Sequence, residues 1–272
     1  MAASGLRLGH GPNFPLVDFP ESGWLTREEM IEVDRIMMED LGISLRKMME
    51  HAGRHLATVV RLKRNELGVR PQVRSSVVVL VGAGGNGGGG LVAARRLHSW
   101  GIPVEIVMAR EPEEHQGVVA EQLAIAQTLG ISVSTDVPTS PEIIVDALVG
   151  YSLKGPLAGR IAELADWANA SSAPVISLDL PTGLDATSGG VDPHAIKATA
   201  TITLALPKIG LAPHRRSGPV GDLYLADISV PWPTPSEEKR TSGQTLGSFF
   251  WAEKNGEKLV NPFQNDDLVQ IW

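Results

Sequence analysis

The stretch VVVLVGAGGNGGGGLVAARRLHSWG, from Val77 to Gly101, decides the fold of this 272-residue chain. It opens with a run of apolar, mostly β-branched residues, which is typical of a buried strand in a parallel sheet. Seven glycines follow between Gly82 and Gly90, with Asn86 as the one polar side chain among them. The segment that comes next has a helical pattern. We therefore expect a strand, a glycine-rich turn and a helix that ends at Gly101.

The same alternation continues through the middle of the chain. The strand patterns are PVEIVMA, EIIVDALVG, APVISLDLPTG, ATATITLALP and GDLYLADISVP, and the helical patterns between them include HQGVVAEQLAIAQTLG and PLAGRIAELADWANAS. This order predicts a doubly wound, mostly parallel Rossmann-like sheet with helices on both faces, a three-layer α/β/α fold. ISVSTD is a short strand or an edge, and GDLYLADISVP is a candidate antiparallel edge strand.

Three parts of the chain differ in composition. Residues 1–24 are rich in glycine and proline and are predicted to form an N-terminal arm. Residues 25–231 hold the α/β pattern, which begins with two amphipathic helices; Thr26 and Glu29 form a capping box at the first. Residues 232–272 begin as a Pro-rich linker and continue as a tail rich in aromatic residues. We expect this tail to dock, either on the chain's own domain or on a partner.

Composition excludes several classes of function. A net charge of -7 and a pI near 5.5 argue against nucleic-acid binding, which usually needs a basic face. The absence of cysteine excludes disulfides, thiolate metal sites and a cysteine nucleophile. No apolar run approaches the roughly 20 residues that span a bilayer, and the N-terminus has no apolar signal core. We expect a cytoplasmic protein that binds neither nucleic acid nor membranes.

The glycine run is suited to binding an anion. Backbone N–H groups and the helix dipole at a helix N-terminus favour phosphate. Gly82, Gly84 and Gly87 fit the pattern G-x-G-x-x-G, but a lone match is weak evidence, and the next strand ends in MAR rather than in an acidic residue that would bind a ribose. No Lys-Ser/Thr pair follows, so the Walker pattern fails as well. A flexible turn with excess glycine is the alternative interpretation.

Three charged residues lie at the C-terminal ends of three different predicted strands. They are Asp146, Asp179 and Lys208. Because ligands bind at the carboxyl ends of the strands in an open α/β sheet, we expect these side chains to converge beside the glycine run. A buried charge is costly unless it is paired or used. The alternatives are that the aspartates cap neighbouring turns or helices and that the lysine is a solvated strand end.

Seven motifs, in order, resemble the NAD(P)H-hydrate epimerase family, also called the YjeF N-terminal domain. They are LTREEMIEVDR, MMEHAGR, GAGGNGGGGLVAARRL, VDALVGYSLKGPL, SLDLPTGLDATSG, LPKIGL and GDLYLADISVP, between Leu25 and Pro231. The resemblance implies an isomerase of metabolite repair. Such an enzyme interconverts the R and S forms of NADHX and NADPHX, the nicotinamide cofactors hydrated at C6 of the reduced ring, so that a separate dehydratase can restore the cofactor.

The resemblance also implies roles for individual residues. Asp179 and Lys208 would form the acid–base pair of the reaction. A potassium ion would be held by the oxygen donors of Asn86, Asp146 and Thr182. The dinucleotide substrate would be bound by Gly84, Gly85, Asn86, Gly87, Gly88, Gly89, Gly150, Ser152, Lys154, Gly155 and Asp179. A homodimer is expected, with the N-terminal helices and the aromatic tail as candidate contact surfaces.

Two positions depart from the family's usual loop, G-x-G-N-N-G-G-D-G. Gly85 stands where the first asparagine is usual, and Gly89 stands where the aspartate is usual. Each change could weaken binding by roughly 1–3 kcal/mol if the ligand groups stay unsatisfied. Two functions therefore remain open. One is an epimerase with its acid–base residues intact, and the other is a catalytically impaired homologue that acts as a ligand-binding or dimeric scaffold protein.

Overall fold

The computed structural model describes residues 14–68, 76–215, 217–232, 250–254 and 257–272. Most of the predicted N-terminal arm and of the Pro-rich linker lies outside these residues. The ten strands of the described part are β1 (Val77–Val81), β2 (Val104–Met108), β3 (Ser132–Ser134), β4 (Ile143–Ala147), β5 (Val175–Leu178), β6 (Ala200–Leu204), β7 (Asp222–Ala226), β8 (Glu253–Lys254), β9 (Glu257–Lys258) and β10 (Leu268–Gln270).

Eight of these strands form the central sheet, in the order β10-β7-β6-β5-β4-β1-β2-β3. All neighbours are parallel except β7 and β10. The chain runs outward from β1 to β3 on one side and from β4 to β7 on the other. The predicted doubly wound sheet is confirmed, and its order reverses between β1 and β4, where a ligand crevice is expected.

Five α-helices of the described part surround the sheet: α1 (Arg27–Arg35), α2 (Leu45–Glu66), α3 (Gly85–Ser99), α4 (Gly117–Thr128) and α5 (Gly159–Ala170). Helices α2, α3 and α4 cover one face of the sheet, where they pack against every second residue of β1, such as Val79. Helix α5 covers the other face, where it packs in one core with Val78 and Leu80 of β1. Because β1 is covered on both faces, its continuous apolar run is accounted for. Within the described residues, no helix is both long and apolar enough to cross a membrane.

The aromatic tail docks on the chain's own domain. Trp272 stacks on Trp24 with ring centroids 5.9 Å apart, and its indole N–H donates to the Gly221 carbonyl at 2.9 Å. Trp251 is fully buried in the same core as α1. The tail also supplies β10, which is the antiparallel edge of the sheet. The expectation that GDLYLADISVP forms this edge is wrong: as β7 it runs parallel to β6, because the residues between them are enough for a crossover connection.

The glycine run is helical, whereas the sequence indicated a turn. Helix α3 begins at Gly85, so five glycines lie in its first six residues despite their low helix propensity. Close approach accounts for them. A Cβ on Gly87 would lie 1.9 Å from the Gly82 carbonyl oxygen, and a Cβ on Gly90 would lie 2.5 Å from the Ala147 side chain. The helix can therefore sit against β1 and β4 only while these positions lack side chains.

Candidate functional site

A cavity of about 260 Å³ lies at the carboxyl ends of the sheet strands, beside the N-terminus of α3. One wall is apolar and comes mainly from α1 and α2. Its residues are Met30, Met38, Leu45, Met48, Met49 and Ala52. The other walls carry the polar side chains of Asp34, Asn86, Tyr151, Ser152, Asp179 and Lys208. The cavity thus has room for a ligand group that lies between an apolar wall and polar side chains.

Asp179 follows β5 in a strained turn. Its φ is 67°, and the Leu180 N–H donates to the Leu178 carbonyl at 2.9 Å, the two-residue closure of a γ-turn with positive φ. Aspartate tolerates this conformation better than most residues, and such strain is concentrated at functional sites. The turn directs the carboxylate into the cavity, where Oδ2 accepts a hydrogen bond of 2.9 Å from the Tyr151 N–H.

Lys208 is fully buried, and its ammonium group is held from several sides. Nζ donates to Asp179 Oδ1 at 2.5 Å and to the Leu204 carbonyl at 2.8 Å, and it lies 5.9 Å from the centre of the Tyr151 ring. The backbone beside it is fixed by a bridge between Lys208 and Leu25, which precedes α1. A buried ammonium needs such partners, since its desolvation is costly. The ion pair is therefore a preorganised part of the cavity wall.

Asn86 links the glycine run to this pair. Its amide nitrogen donates to the Leu178 carbonyl at 2.9 Å, directly before Asp179. Its Oδ1 and Asp179 Oδ2 both face Gly150, since a Cβ on that glycine would lie 2.8 Å and 2.7 Å from them. Gly150 therefore lets the loop after β4 approach both side chains, and a larger residue there would displace them.

Asp146 and Thr182 are both fully buried and are not among the residues that line the cavity. Thr182 donates to Asp146 through its hydroxyl at 2.7 Å and its N–H at 2.9 Å. The Ser177 hydroxyl and the Leu148 N–H complete the set, at 2.8 Å and 3.2 Å. Burial raises the pKa of Asp146 above its usual value, while these hydrogen bonds act in the opposite direction. In the described residues, no group of three or more His, Cys, Asp or Glu side chains could hold a metal ion.

A family model, YjeF-related protein N-terminus, matches residues 45–210, which is more than half of the chain. The chain belongs to this family. It is 40% identical over 214 residues to the NAD(P)H-hydrate epimerase of Dehalogenimonas lykanthroporepellens, covering 76% of this chain and 82% of the relative. It is 33% identical to the NAD(P)H-hydrate epimerase of Rhodopirellula baltica, covering 80% of this chain and 87% of the relative. The resemblance predicted from the sequence motifs is confirmed.

Two further matches, one to a protein and one to a solved structure, extend this picture. The bifunctional NAD(P)H-hydrate repair enzyme Nnr of Salinibacter ruber is 34% identical, and the match covers 76% of this chain but 41% of that protein. The crystal structure of the yeast protein ynu0 aligns with a TM-score of 0.70 at 23% identity and covers 91% of this chain and 99% of the yeast chain. The yeast structure supports the α/β fold.

Most residues predicted to bind a ligand in this YjeF-related chain line the cavity. They are Gly85, Asn86, Gly89, Gly150, Ser152, Asp179 and Lys208. Gly84 is the N-cap residue of α3. Gly87 and Gly88 are instead buried against the backbone of Gly82 and the side chain of Met49. Lys154 and Gly155 lie exposed in the turn that follows Ser152 and are not part of the cavity wall.

Sequence reasoning missed two residues of the site, Asp34 and Tyr151. The Tyr151 hydroxyl donates a hydrogen bond to Asp34, and burial raises the pKa of both groups above their usual values. A signal for Asp34 was present. It lies four residues after Met30 and three before Met37, on the apolar stripe of α1, where a carboxylate is unusual. No comparable pattern marks Tyr151.

Proposed function

We propose that this chain is an NAD(P)H-hydrate epimerase that interconverts the R and S forms of NADHX and NADPHX. The observation that carries the proposal is the buried ion pair of Asp179 and Lys208 in the wall of the cavity. The two epimerase relatives support it, since the chain covers 82% and 87% of their lengths. The dinucleotide is the substrate in this account, and Asp179 and Lys208 are the groups that exchange protons with it.

The cavity suits the two ends of such a substrate. The methionine-rich wall offers an adaptable apolar surface for the reduced nicotinamide ring. The N-terminus of α3, capped by Gly84, presents backbone N–H groups and a favourable dipole for phosphate. The hydroxyl at C6 leaves when the lone pair of the ring nitrogen expels it and an acid protonates it. A carboxylate and an ammonium group in one buried wall can supply and accept such protons.

A potassium ion held by Asn86, Asp146 and Thr182 is part of the proposal, and the donor set fits a hard cation. Thr182 Oγ1 has one proton for two acceptors, Asp146 Oδ1 at 2.7 Å and the Val149 carbonyl at 3.1 Å. Asp146 is buried, and no cationic side chain bonds to it within the described residues. Asn86 would add Oδ1, because its amide nitrogen already bonds the Leu178 carbonyl. When bound, the ion would neutralise Asp146 and attract substrate phosphate.

The proposal extends to the context in which the chain acts. We take residues 25–231 as the catalytic domain and residues 1–24 and 232–272 as accessory segments. A dehydratase acts downstream, which fits the bifunctional NAD(P)H-hydrate repair enzyme among the relatives. We further propose a cytoplasmic homodimer that binds neither nucleic acid nor membranes. The exposed Ile31 and Met38 on the α1 side are candidates for the dimer contact.

One observation favours a second candidate function. Gly85 and Gly89 both line the cavity, and neither offers a polar side chain where the family's usual loop has asparagine and aspartate. An impaired homologue that binds a ligand or acts as a dimeric scaffold would have this feature.

A coupled assay separates the two candidates. Hydrated NADH enriched in the epimer that a dehydratase rejects is mixed with that dehydratase, and the return of the near-ultraviolet absorbance of NADH is followed. The epimerase proposal predicts that the chain restores the absorbance far faster than spontaneous epimerisation. A folded chain that leaves this rate unchanged, with potassium present, would favour the scaffold.

A further inference from the structure

A second carboxylate lines the cavity on the α1 side, across from the strand ends that carry Asp179 and Lys208. It belongs to Asp34, in the last turn of α1. The Tyr151 hydroxyl donates to Asp34 Oδ2, and Oδ1 has no partner within the described part of the chain. The Tyr151 N–H donates to Asp179 Oδ2. One tyrosine thus bonds both acidic groups, Asp179 through its backbone N–H and Asp34 through its hydroxyl.

The charges of the cavity leave Asp34 without a cation of its own. The charged residues that line the cavity are Asp34, Asp179 and Lys208. The ammonium group of Lys208 is already paired with Asp179. Burial raises the pKa of Asp34, and the charge of Asp179 adds to this effect, while Tyr151 and Lys208 oppose it. Burial therefore favours the protonated form of Asp34 more than for a free aspartate.

Epimerisation at C6 needs chemistry on both faces of the substrate ring. The hydroxyl departs from one face with the help of an acid, and water enters from the other with the help of a base. A group fixed in the cavity wall reaches only the face that it adjoins. Inversion therefore requires two acid–base positions, and the side chains of the cavity provide two.

We propose that Asp34 is a second catalytic residue that serves one face of the substrate ring while the Asp179–Lys208 pair serves the other. This inference rests on the proposed epimerase function and deepens it. Tyr151 is then a positioning residue, because its hydroxyl holds Oδ2 and leaves Oδ1 directed to the substrate.

The reaction balances with these groups. Protonated Asp34 gives its proton to the C6 hydroxyl, and the C–O bond breaks as the lone pair of the ring nitrogen forms a C=N bond, which leaves water and an iminium ion. A water molecule on the opposite face then bonds to C6, the C=N electron pair returns to nitrogen, and Asp179 takes the proton of that water. The reverse direction uses the same groups in exchanged roles. Exchange with solvent returns each carboxyl group to its starting state.

The test uses pure epimers of hydrated NADH that carry oxygen-18 in the C6 hydroxyl. The variant Asp34→Asn removes the acid and nearly preserves shape. We expect it to epimerise at least about 100-fold more slowly than wild type. One epimer should still lose its label to water without inversion, because the Asp179–Lys208 pair can expel and return oxygen on its own face. Asp179→Asn should show the mirror result, with label loss confined to the other epimer.

One control and one further variant accompany this test. Glu28→Gln removes one negative charge from an exposed site on the same helix, where the side chain is 72% exposed, and it should match wild type. Tyr151→Phe removes the hydrogen bond that favours ionised Asp34. It should slow epimerisation, because Asp34 is no longer held in place, and move the alkaline limb of the pH–rate profile to higher pH.

The outcomes are distinct. Asp34→Asn with wild-type epimerisation, or with label loss abolished in both epimers, overturns the role of Asp34 on one face. An unshifted pH–rate profile in Tyr151→Phe overturns it as well. A wild-type protein that neither epimerises nor exchanges label refutes the proposed function, and the inference with it.

Discussion

The substitution Gly87→Ala tests why the first turns of α3 are built from glycine. A Cβ at this position would lie 1.9 Å from the Gly82 carbonyl oxygen and 2.8 Å from its carbon, whereas Cβ atoms essentially never come closer than 3.0 Å to another heavy atom. The backbone must therefore open by about 1 Å. Both partners are main chain, so no side-chain rotation can relieve the contact.

The expected loss of stability follows from two opposing effects. Overpacking of a tight contact costs about 1–3 kcal/mol, and a contact between two main-chain segments belongs at the upper end. Alanine gains about 1 kcal/mol over glycine in a helix. The net loss is about 2 kcal/mol, which corresponds to a fall of roughly 4–8 °C in the midpoint of thermal unfolding for a chain of this size.

Gly85→Ala is the matched control on the same helix. The nearest atom to its added Cβ would be Met49 Cε at 3.9 Å, an ordinary contact. This variant should unfold at the same temperature as wild type or up to about 1 kcal/mol more stably. Calorimetry and urea denaturation of both variants measure the difference. A Gly87→Ala protein as stable as wild type would refute the close-packing explanation of the glycine run.

Three further predictions concern other parts of the molecule. Wild type should unfold at a higher temperature in a potassium salt than in the salt of a bulky organic cation. Asp146→Asn should unfold at the same temperature in both salts. Equal unfolding temperatures of wild type in the two salts would contradict the cation site. Burial lowers the pKa of His55 to about 4. Because His55 binds a proton more readily in the unfolded chain than in the folded one, acid favours unfolding. The free energy of unfolding should fall by up to about 3 kcal/mol as the pH is lowered from 6.5 towards 4. The groups near His55 are Asp267, Arg54, His51 and Asp227. In His55→Leu, the free energy of unfolding measured with urea should depend less on pH than in wild type. Trp251→Ala should cost about 3–5 kcal/mol in urea denaturation, because the fully buried indole also donates to the Pro231 carbonyl at 2.9 Å. A loss near zero would show that the tail contributes nothing to the fold.

The sheet could be predicted because its sequence signal is strong and local. The run Val77–Val81 is apolar at every position, as a strand covered on both faces must be. The positions of Asp179 and Lys208 followed from the same logic, since parallel strands end at one edge of the sheet. The structure brings these two side chains to 2.5 Å from each other.

Other features depend on contacts between distant parts of the chain. Glycine disfavours helices on its own, so the helical start at Gly85 could not be read from propensity, and only close packing against the sheet accounts for it. The choice between self-docking and partner docking of the tail was open for the same reason, since Trp24 and Trp272 meet only in the folded chain. Asp34 was overlooked among apolar neighbours, although its place on the buried stripe of α1 marked it.

The most direct test of the central claim is the epimerisation of the purified R form of NADHX, followed by chromatography, by wild type beside Asp179→Asn in potassium-containing buffer. The account predicts that wild type brings R and S to equilibrium and that Asp179→Asn is slower by at least about 100-fold while its fold is unchanged. A folded wild-type protein that gives no conversion above the spontaneous rate, or an Asp179→Asn variant that converts as fast as wild type, would contradict it.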